Sequence, residues 1–91
     1  MSIKVNIPWF FRHLISGIEI AQVKGSTVGE CLKDIVGQFP AIKKELFDDK
    51  TGKLFAYIDV YVNRESSYPE ELAKLVKDGD ELHITFIIAG G

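Results

Sequence analysis

The chain ends on Gly90-Gly91, and the carboxylate of Gly91 is the group in this sequence best suited to chemistry. Glycine has no side chain, so such a tail passes through a narrow channel and adopts torsion angles that are closed to other residues. A carboxylate is a poor electrophile until one of its oxygens becomes a leaving group. Adenylation by ATP would achieve this, and a sulfur or other nucleophile could then attack the acyl carbon. A floppy end or an expression scar would also leave this glycine pair.

The length of the tail suits a reaction inside another protein. Residues 88–91 reach at most about 13–14 Å when extended, which lets the carboxylate enter a nucleotide pocket while the folded body docks outside. A bulky side chain at position 90 or 91 would crowd the acyl carbon. We therefore expect Gly91 to be the adenylated residue, and Gly90 and Ala89 to be the residues that thread the channel.

The other reactive side chains do not form a catalytic or metal site in the sequence. His13 and His83 have no cysteine or carboxylate at the spacing of metal ligands, so no metal site is predicted. Cys31 lies beside an apolar helical stripe, which favours a buried, inert thiol over a nucleophile. Gly25-Ser26-Thr27 precedes a helix without a Walker lysine or a glycine-rich array, which favours a plain cap over a phosphate site. No catalytic residue is expected in the chain itself.

Alternation of apolar and polar residues predicts the strands that carry the tail. The expected strands cover residues 2–7, 18–24, 57–63 and 81–88. The second one has no clear inward face, because apolar residues occur at both parities, and a bulge would resolve the conflict. Between the first two strands, Trp9-Phe10-Phe11 is expected to lie half in the core and half as a lid over the sheet. A partner-binding patch is the alternative interpretation of these aromatic residues.

One main helix is predicted after the first two strands. Thr27 and Glu30 fit a capping box at its start, and Pro40 ends it. Short helical turns are expected within residues 41–47 and 69–76, the second with three buried apolar side chains. A hairpin, a crossing helix and later strands predict an α+β fold with a mixed sheet packed on one main helix. The helical stripe comprises Val28, Leu32, Ile35, Val36 and Phe39, and the buried side chains of the second turn are Leu72, Leu75 and Val76.

Length and composition limit the remaining possibilities. Ninety-one residues are expected to form one domain, residues 1–91, with a flexible C-terminal Gly-Gly tail. The net charge of −2 argues against nucleic-acid binding, which needs a basic surface. The sequence has no apolar run near the length of a membrane span, so no membrane partner is expected. A single cysteine excludes an internal disulfide and fits a reducing, cytoplasmic location.

Several segments together resemble the MoaD/ThiS family of ubiquitin-like sulfur carriers, which are β-grasp proteins. They are residues 25–32, which lead into the helix, residues 60–63 (Val-Tyr-Val-Asn), and Asp78-Gly79-Asp80-Glu81 about ten residues before the terminal glycines. The longer middle of the chain, around residues 52–63, is similar to the CysO-type carriers that serve cysteine synthesis. Many molybdopterin carriers have prolines shortly before the tail. This chain has Phe86-Ile87-Ile88-Ala89 there, which weakens an assignment to the molybdopterin branch.

The resemblance implies a protein co-substrate, or the small subunit of a sulfur-transferring synthase, and not an enzyme. An E1-like adenylyltransferase of the MoeB/ThiF type would use ATP to adenylate Gly91, and the carrier itself would bind no cofactor. The carboxylate would become a thiocarboxylate, and its sulfur would pass to an accepting synthase, either the molybdopterin synthase large subunit or a cysteine synthase. Two alternatives remain open: a ubiquitin-like modifier joined to lysines through Gly91, and a plain binding domain.

A surface for such partners is expected on the face of the sheet that the helix leaves open. The parity of the strands places Tyr57, Tyr61, Thr85 and Ile87 on that face, beside the root of the tail. An exposed apolar and aromatic patch is a fair candidate for an interface, and scattered surface aromatics are the alternative. The candidate partner-binding residues are Tyr57, Tyr61, Thr85, Phe86, Ile87 and Ile88.

Overall fold

Five strands and one long helix form the fold over residues 2–87, the part of the chain that the computed structural model describes. The α+β class predicted from the sequence is confirmed. The predicted tail residues Ile88, Ala89, Gly90 and Gly91 lie outside the described residues. The strands are β1 (Ile3–Asn6), β2 (Ile20–Val23), β3 (Ile58–Val62), β4 (Glu65–Ser66) and β5 (Glu81–Phe86). The helices are α1 (Val28–Gln38) and the short α2 (Lys43–Leu46), with 3₁₀ helices at Trp9–Ile15, Pro40–Ile42 and Glu71–Ala73.

The sheet is mixed and has β5 at its centre. Its strand order is β2-β1-β5-β3-β4, in which β1 and β5 run parallel and the other neighbours are antiparallel. Val5 lies opposite Leu82 in the parallel pair, and Ile84 lies opposite Val60 in the antiparallel pair. The last strand therefore joins the hairpin β1–β2 to the hairpin β3–β4.

The core lies between this sheet and α1. Apolar residues alternate along β1, β3 and β5, so each strand presents one face of buried side chains to the helix. The helix contributes Val28, Leu32 and Ile35, all fully buried, and Val36 and Phe39 pack partly against the same core. Pro40 follows the helix and ends it, as predicted. Within residues 2–87 no helix is long and apolar enough to cross a membrane.

The pairing of β2 corrects one prediction. Ala21 and Val23 point into the core, whereas Ile20 is half exposed on the other side of the strand. Ile18 lies before the strand and packs against the edge of the core, so it does not share the alternation of β2. Pairing of β1 with β2 continues without interruption from Ile3 opposite Val23, and the expected bulge is wrong.

Two other segments differ from the sequence-based expectation. The aromatic connection after β1, for which no regular element was predicted, forms the 3₁₀ helix Trp9–Ile15. The turn within residues 69–76 is a 3₁₀ helix, and it half-buries Leu72 and Val76. Leu75, expected to be buried, is 75% exposed because its backbone pairs with Thr27 and this turns the side chain to solvent.

The start of α1 is capped by its own residues. The Thr27 hydroxyl accepts a hydrogen bond from the Glu30 amide at 3.1 Å, and the Glu30 carboxylate accepts one from the Ser26 amide at 2.7 Å. The capping box is confirmed, although the Glu30 carboxylate bonds to the amide of Ser26, the residue before the N-cap, and not to that of Thr27. The first contact satisfies the Glu30 amide, and the Val28 amide donates to the Lys74 carbonyl oxygen at 2.9 Å. Gly25-Ser26-Thr27 is therefore a cap, as predicted.

Gly25 is needed because the backbone of α1 passes very close to it. A Cβ at this position would lie 2.9 Å from the backbone nitrogen of Cys31 and 2.9 Å from the Cβ of Glu30. We expect Gly25→Ala to lower the free energy of unfolding by about 1–2 kcal/mol, because such overpacking shifts backbone. Thermal unfolding should show a loss of roughly 5–10 °C in Tm.

Gly37 supplies the matched control for Gly25. It lies exposed on α1, and a Cβ there would meet nothing within 4 Å. Gly37→Ala should raise stability by about 0.5–1 kcal/mol, because glycine is a poor residue inside a helix. Equal melting temperatures for the two alanine variants would contradict the close approach at Gly25.

A hydrogen-bonded clamp fixes the start of β5. The carboxylate of Asp80, only 7% exposed, accepts hydrogen bonds from the Asn63 side-chain amide at 2.8 Å and from the Lys77 backbone amide at 2.9 Å. The Asn63 side-chain oxygen in turn accepts from the Glu81 amide at 2.9 Å. The clamp therefore joins the turn before β5 to the turn after β3. Those two turns belong to the segments that carried the family resemblance in the sequence.

Burial and hydrogen bonding act in opposite directions on this carboxylate. Burial favours its neutral form, but the hydrogen bonds from Lys77 and Asn63 and the charge of Lys77 outweigh this, so the pKa of Asp80 lies below its usual 3.8. Asp80 is therefore ionised under ordinary conditions, and its charge strengthens the clamp.

Candidate functional site at the root of the tail

The last described residues of the chain are held firmly by the sheet. Strand β5 ends at Phe86, and the backbone amide of Ile87 still donates to the carbonyl oxygen of Tyr57 at 2.8 Å. We call Phe86 and Ile87 the tail root. Residues 88–91 extend about 13–14 Å beyond it at most. The adenylation site at Gly91 and the threading residues Gly90 and Ala89 lie outside the described residues and stay predictions.

An aromatic cluster surrounds the tail root. The rings of Phe10 and Phe86 are stacked, with centroids 4.5 Å apart and planes 6° from parallel. Tyr57 lies 5.6 Å from Phe86 and stacks on Phe55 at 5.1 Å. Trp9 meets Phe10 edge-on at 5.6 Å. We define the aromatic cluster as Trp9, Phe10, Phe11, Phe55, Tyr57 and Phe86.

The 3₁₀ helix that follows β1 provides half of this cluster. Phe11 is buried in the core, Phe10 is half-buried, and Trp9 is 75% exposed. This gradient confirms the expectation that Trp9-Phe10-Phe11 lies partly in the core and partly as a lid. The lid packs on the end of β5 through the stack of Phe10 on Phe86, and its outer edge is a solvent-exposed indole near the tail root.

The open face of the sheet carries a second surface next to the cluster. Tyr61 and Thr85 line a shallow depression of about 610 Å³, together with Phe86 at its end. Across the strands, Tyr61 lies opposite His83, and the Thr85 hydroxyl donates to the Asp59 carbonyl oxygen at 3.2 Å. The structure thus brings together Tyr61, Thr85 and Phe86, three of the predicted partner-binding residues. Ile88, also predicted, lies outside the described residues.

Tyr57 does not join Tyr61 on the open face, and that expectation is wrong. Tyr57 precedes β3, so the alternation of the strand does not fix its ring. The ring instead packs between Phe55 and Phe86 in the aromatic cluster. Phe86, whose cross-strand partner is the buried Ile58, connects the cluster with the open face. The predicted residues therefore divide into two adjoining surfaces around the tail root.

Sequence reasoning missed the charged groups of the open face. Arg64, Glu81 and His83 also line the depression. The His83 Nε2 lies 3.9 Å from a Glu81 carboxylate oxygen and 3.5 Å from the side-chain nitrogen of Asn6. His83 is half exposed, because its position in β5 alternates with the buried Leu82 and Ile84. Arg64 was missed because the hairpin β3–β4 was not predicted. The opposite charges of Arg64 and Glu81 leave this face with no strong net charge.

Within residues 2–87 the structure shows no group of three histidine, cysteine or acidic side chains that could hold a metal ion. Cys31 lies on the buried side of α1 and is fully buried, as predicted. Burial, together with the charges of Asp34 and Glu30, raises the pKa of this thiol to about 11. A protonated, inaccessible sulfur cannot act as a nucleophile.

We expect native Cys31 to react with a thiol reagent only as fast as unfolding exposes it. The reason is that the thiolate is both buried and scarce below its raised pKa of about 11. Absorbance with a disulfide-exchange reagent measures this rate, and the same assay in guanidinium should show one thiol per chain. Rapid stoichiometric labelling without denaturant would contradict the burial of Cys31.

Comparison with known proteins identifies the family. No protein-family model matches the chain. The sulfur carrier protein CysO of Mycobacterium tuberculosis is 31% identical over 93 aligned positions, which cover 100% of both chains. A chain in the crystal structure of the Amycolatopsis orientalis BexX/CysO complex has a TM-score of 0.85 at 37% identity, covering 98% of this chain and 99% of that one.

An archaeal structure is similarly close. SAMP1, a small archaeal modifier protein from Haloferax volcanii, has a TM-score of 0.83 at 28% identity, with 100% of both chains covered. These neighbours confirm the predicted ubiquitin-like β-grasp fold, with a mixed sheet on one main helix. The full-length match to CysO confirms the resemblance seen in the sequence. The chain belongs to the MoaD/ThiS family of ubiquitin-like sulfur carriers, in its CysO-like branch.

Proposed function

We propose that this chain carries sulfur as a thiocarboxylate on Gly91. The carboxylate oxygen attacks the α-phosphate of ATP, so that an acyl adenylate forms and pyrophosphate leaves. A sulfide-level nucleophile then attacks the acyl carbon, a C–S bond forms, and the C–O bond to AMP breaks. The thiocarboxylate sulfur finally forms a C–S bond to an electrophilic carbon of the acceptor, whose leaving group departs. Hydrolysis of the acyl C–S bond then leaves the sulfur on the acceptor and restores the Gly91 carboxylate. The chain acts in these steps as a protein co-substrate, and its partners supply the catalytic groups.

The observation that carries this proposal is a Gly-Gly terminus on a chain that matches a sulfur carrier over its full length. The geometry supports it, because the tail root is held by the sheet and surrounded by partly exposed aromatic side chains. A partner can therefore bind the folded part of the chain as a rigid unit while the terminal carboxylate enters the partner's active site. Within residues 2–87 no group of side chains could hold a metal ion, and the one cysteine is buried in α1.

The partners follow from the same chemistry. We propose that an E1-like adenylyltransferase of the MoeB/ThiF type activates Gly91 with ATP in the cytoplasm. For the acceptor, the match to CysO favours a cysteine synthase acting on an activated serine over the molybdopterin synthase large subunit. The residues before the tail favour it too, because Phe86 and Ile87 replace the prolines common in molybdopterin carriers.

Intact-mass spectrometry tests the proposal. The chain is co-expressed with a MoeB/ThiF-type enzyme and a sulfur source, and the mass should rise by the difference between sulfur and oxygen. Fragmentation should localise this change to Gly91, and a chain lacking Gly91 should show none. An unchanged mass, with an enzyme that activates its own carrier in the same cells, would contradict the sulfur-carrier role.

The second candidate is a ubiquitin-like protein modifier. The observation that favours it is the full-length similarity to SAMP1, whose name marks it as a modifier. Activation of Gly91 would be the same, but a lysine amine of a target protein would displace AMP and form an isopeptide bond. Higher-mass conjugates that disappear when Gly91 is deleted would favour this function, and thiocarboxylate without conjugates would favour the first.

A further inference from the structure

We propose that Trp9 is an anchor residue that inserts into an apolar pocket of the enzyme that activates Gly91. This inference rests on the proposed function, since it names a contact that the activation step uses. Sequence reasoning favoured a lid over the sheet for Trp9-Phe10-Phe11 and kept a partner-binding patch as the alternative. The structure adds that the exposed indole of Trp9 lies near the tail root, on an element that is far from β5 in sequence.

The short tail restricts where the activating enzyme can lie. Residues 88–91 span at most about 14 Å from Ile87, so a protein that holds Gly91 must come within that distance of the tail root. Two ring contacts, of 5.6 and 4.5 Å, connect Trp9 through Phe10 to Phe86. An enzyme that encloses the tail therefore also faces Trp9. Both candidate functions begin with activation, so this contact does not depend on the acceptor.

The indole is held in place before any partner arrives. Trp9 packs edge-on against Phe10, and Phe10 is fixed by its stack on Phe86 and by an edge contact with Phe11 at 4.8 Å. A rigid aromatic side chain loses little conformational entropy when it is bound. Tryptophan is also among the residues that most often dominate interface energies when a pocket desolvates them. The chemistry of the partner surface is thus an apolar pocket beside the mouth of its nucleotide site.

Leu75, another highly exposed apolar residue, does not satisfy the tail restriction. Leu75 is as exposed as Trp9, at 75%. It pairs with Thr27, which follows β2 beyond Val23, at the end of the sheet where β1 and β5 begin. That end is opposite the tail root. Leu75 is therefore the matched control, with the same exposure and no access to a protein that grips the tail.

Steady-state kinetics of ATP–pyrophosphate exchange measure the contact. A MoeB/ThiF-type enzyme that activates the unsubstituted chain is titrated with Trp9→Ala, Trp9→Phe and Leu75→Ala. We expect Trp9→Ala to raise KM for the carrier about tenfold or more with little change in kcat. The reason is that the lost contact binds the carrier equally in the ground-state complex and in the transition state. Trp9→Phe should recover part of the loss, and Leu75→Ala should match the unsubstituted chain.

Fluorine NMR gives a readout independent of turnover. Trp9 is the single tryptophan of the chain, so 5-fluorotryptophan labelling of the carrier yields one reporter at this site. Adding the unlabelled enzyme should shift or broaden that resonance. Circular dichroism and thermal unfolding of Trp9→Ala confirm that the fold is intact before KM is compared.

The outcomes separate this inference from the proposed function. If the unsubstituted chain is activated but Trp9→Ala has the same KM and the fluorine signal does not move, the anchor is wrong and the carrier role stands. An equal rise in KM for Leu75→Ala would also overturn it, because the effect would not be specific to the tail root. If no MoeB/ThiF-type enzyme that is active on its own carrier activates the chain, the proposed function fails first.

Discussion

Gly90→Val should lose adenylation of Gly91 completely, yet unfold at nearly the temperature of the unsubstituted protein. We expect the channel of the activating enzyme, and not the fold, to reject the larger residue, because the branched side chain would widen the tail beside the acyl carbon. Position 90 lies beyond Ile87, the last residue that the described sheet holds by a hydrogen bond. ATP–pyrophosphate exchange measures the first effect and thermal unfolding the second.

Gly37→Val is the control for this experiment, because it makes the same substitution on the exposed side of α1. A Cβ at Gly37 meets nothing within 4 Å, so both activation and Tm should be close to those of the unsubstituted chain. Adenylation of Gly90→Val at the normal rate would rule out a narrow channel. A large fall in its Tm would show that the residue serves the fold and not the reaction.

Asp80→Ala should cause the largest loss of stability among the substitutions considered. The variant removes two hydrogen bonds to a charged, buried carboxylate, from Asn63 and Lys77, and should cost about 2–4 kcal/mol. For a domain of this size that loss lowers Tm by roughly 10–20 °C. Asp78→Ala is the matched control. Asp78 is exposed and accepts one hydrogen bond, from the Ser2 amide, so a change within about 1 kcal/mol is expected.

The contribution of Asp80 should also depend on pH. Its pKa is lower in the folded chain than the usual 3.8, so its charge stabilises the fold fully above that value. The contribution is lost as pH falls through the folded pKa. Urea unfolding at about pH 7 and again below about pH 3 should therefore show a smaller difference between Asp80→Ala and the unsubstituted chain at the lower pH. A difference that stays constant would mean that the charge of Asp80 contributes nothing to the clamp.

The regular elements could be predicted because their patterns are local. Strands β1, β3 and β5 alternate cleanly, and α1 has both a capping box and a continuous apolar stripe. Strand β4 was missed because it has only two residues. The turn before it places Asn63 and Arg64 at positive φ, and this pair lacks the glycine that usually marks such a hairpin.

The candidate site could be predicted only in part, because it depends on contacts between distant segments. The reaction expected of the tail was inferred from the last two residues together with the family resemblance, and it stays a prediction. The stack of Phe10 on Phe86 joins residues 76 positions apart, and no spacing rule predicts it. The same contact decides that Tyr57 turns toward the cluster and that Trp9 lies beside the tail root. The density of aromatic residues at positions 9–11 was a signal of an unusual connection, but it did not reveal what the connection covers.

The central place of β5 also determines how the domain bears tension. A catalyst that grips the C-terminus pulls along a strand hydrogen-bonded to β1 on one side and to β3 on the other. Such a pull loads both ladders in shear, so their hydrogen bonds resist together and do not open one after another. An edge strand would peel away from one neighbour under the same load. A partner that pulled on the C-terminal end would therefore load the centre of the sheet and not an edge strand.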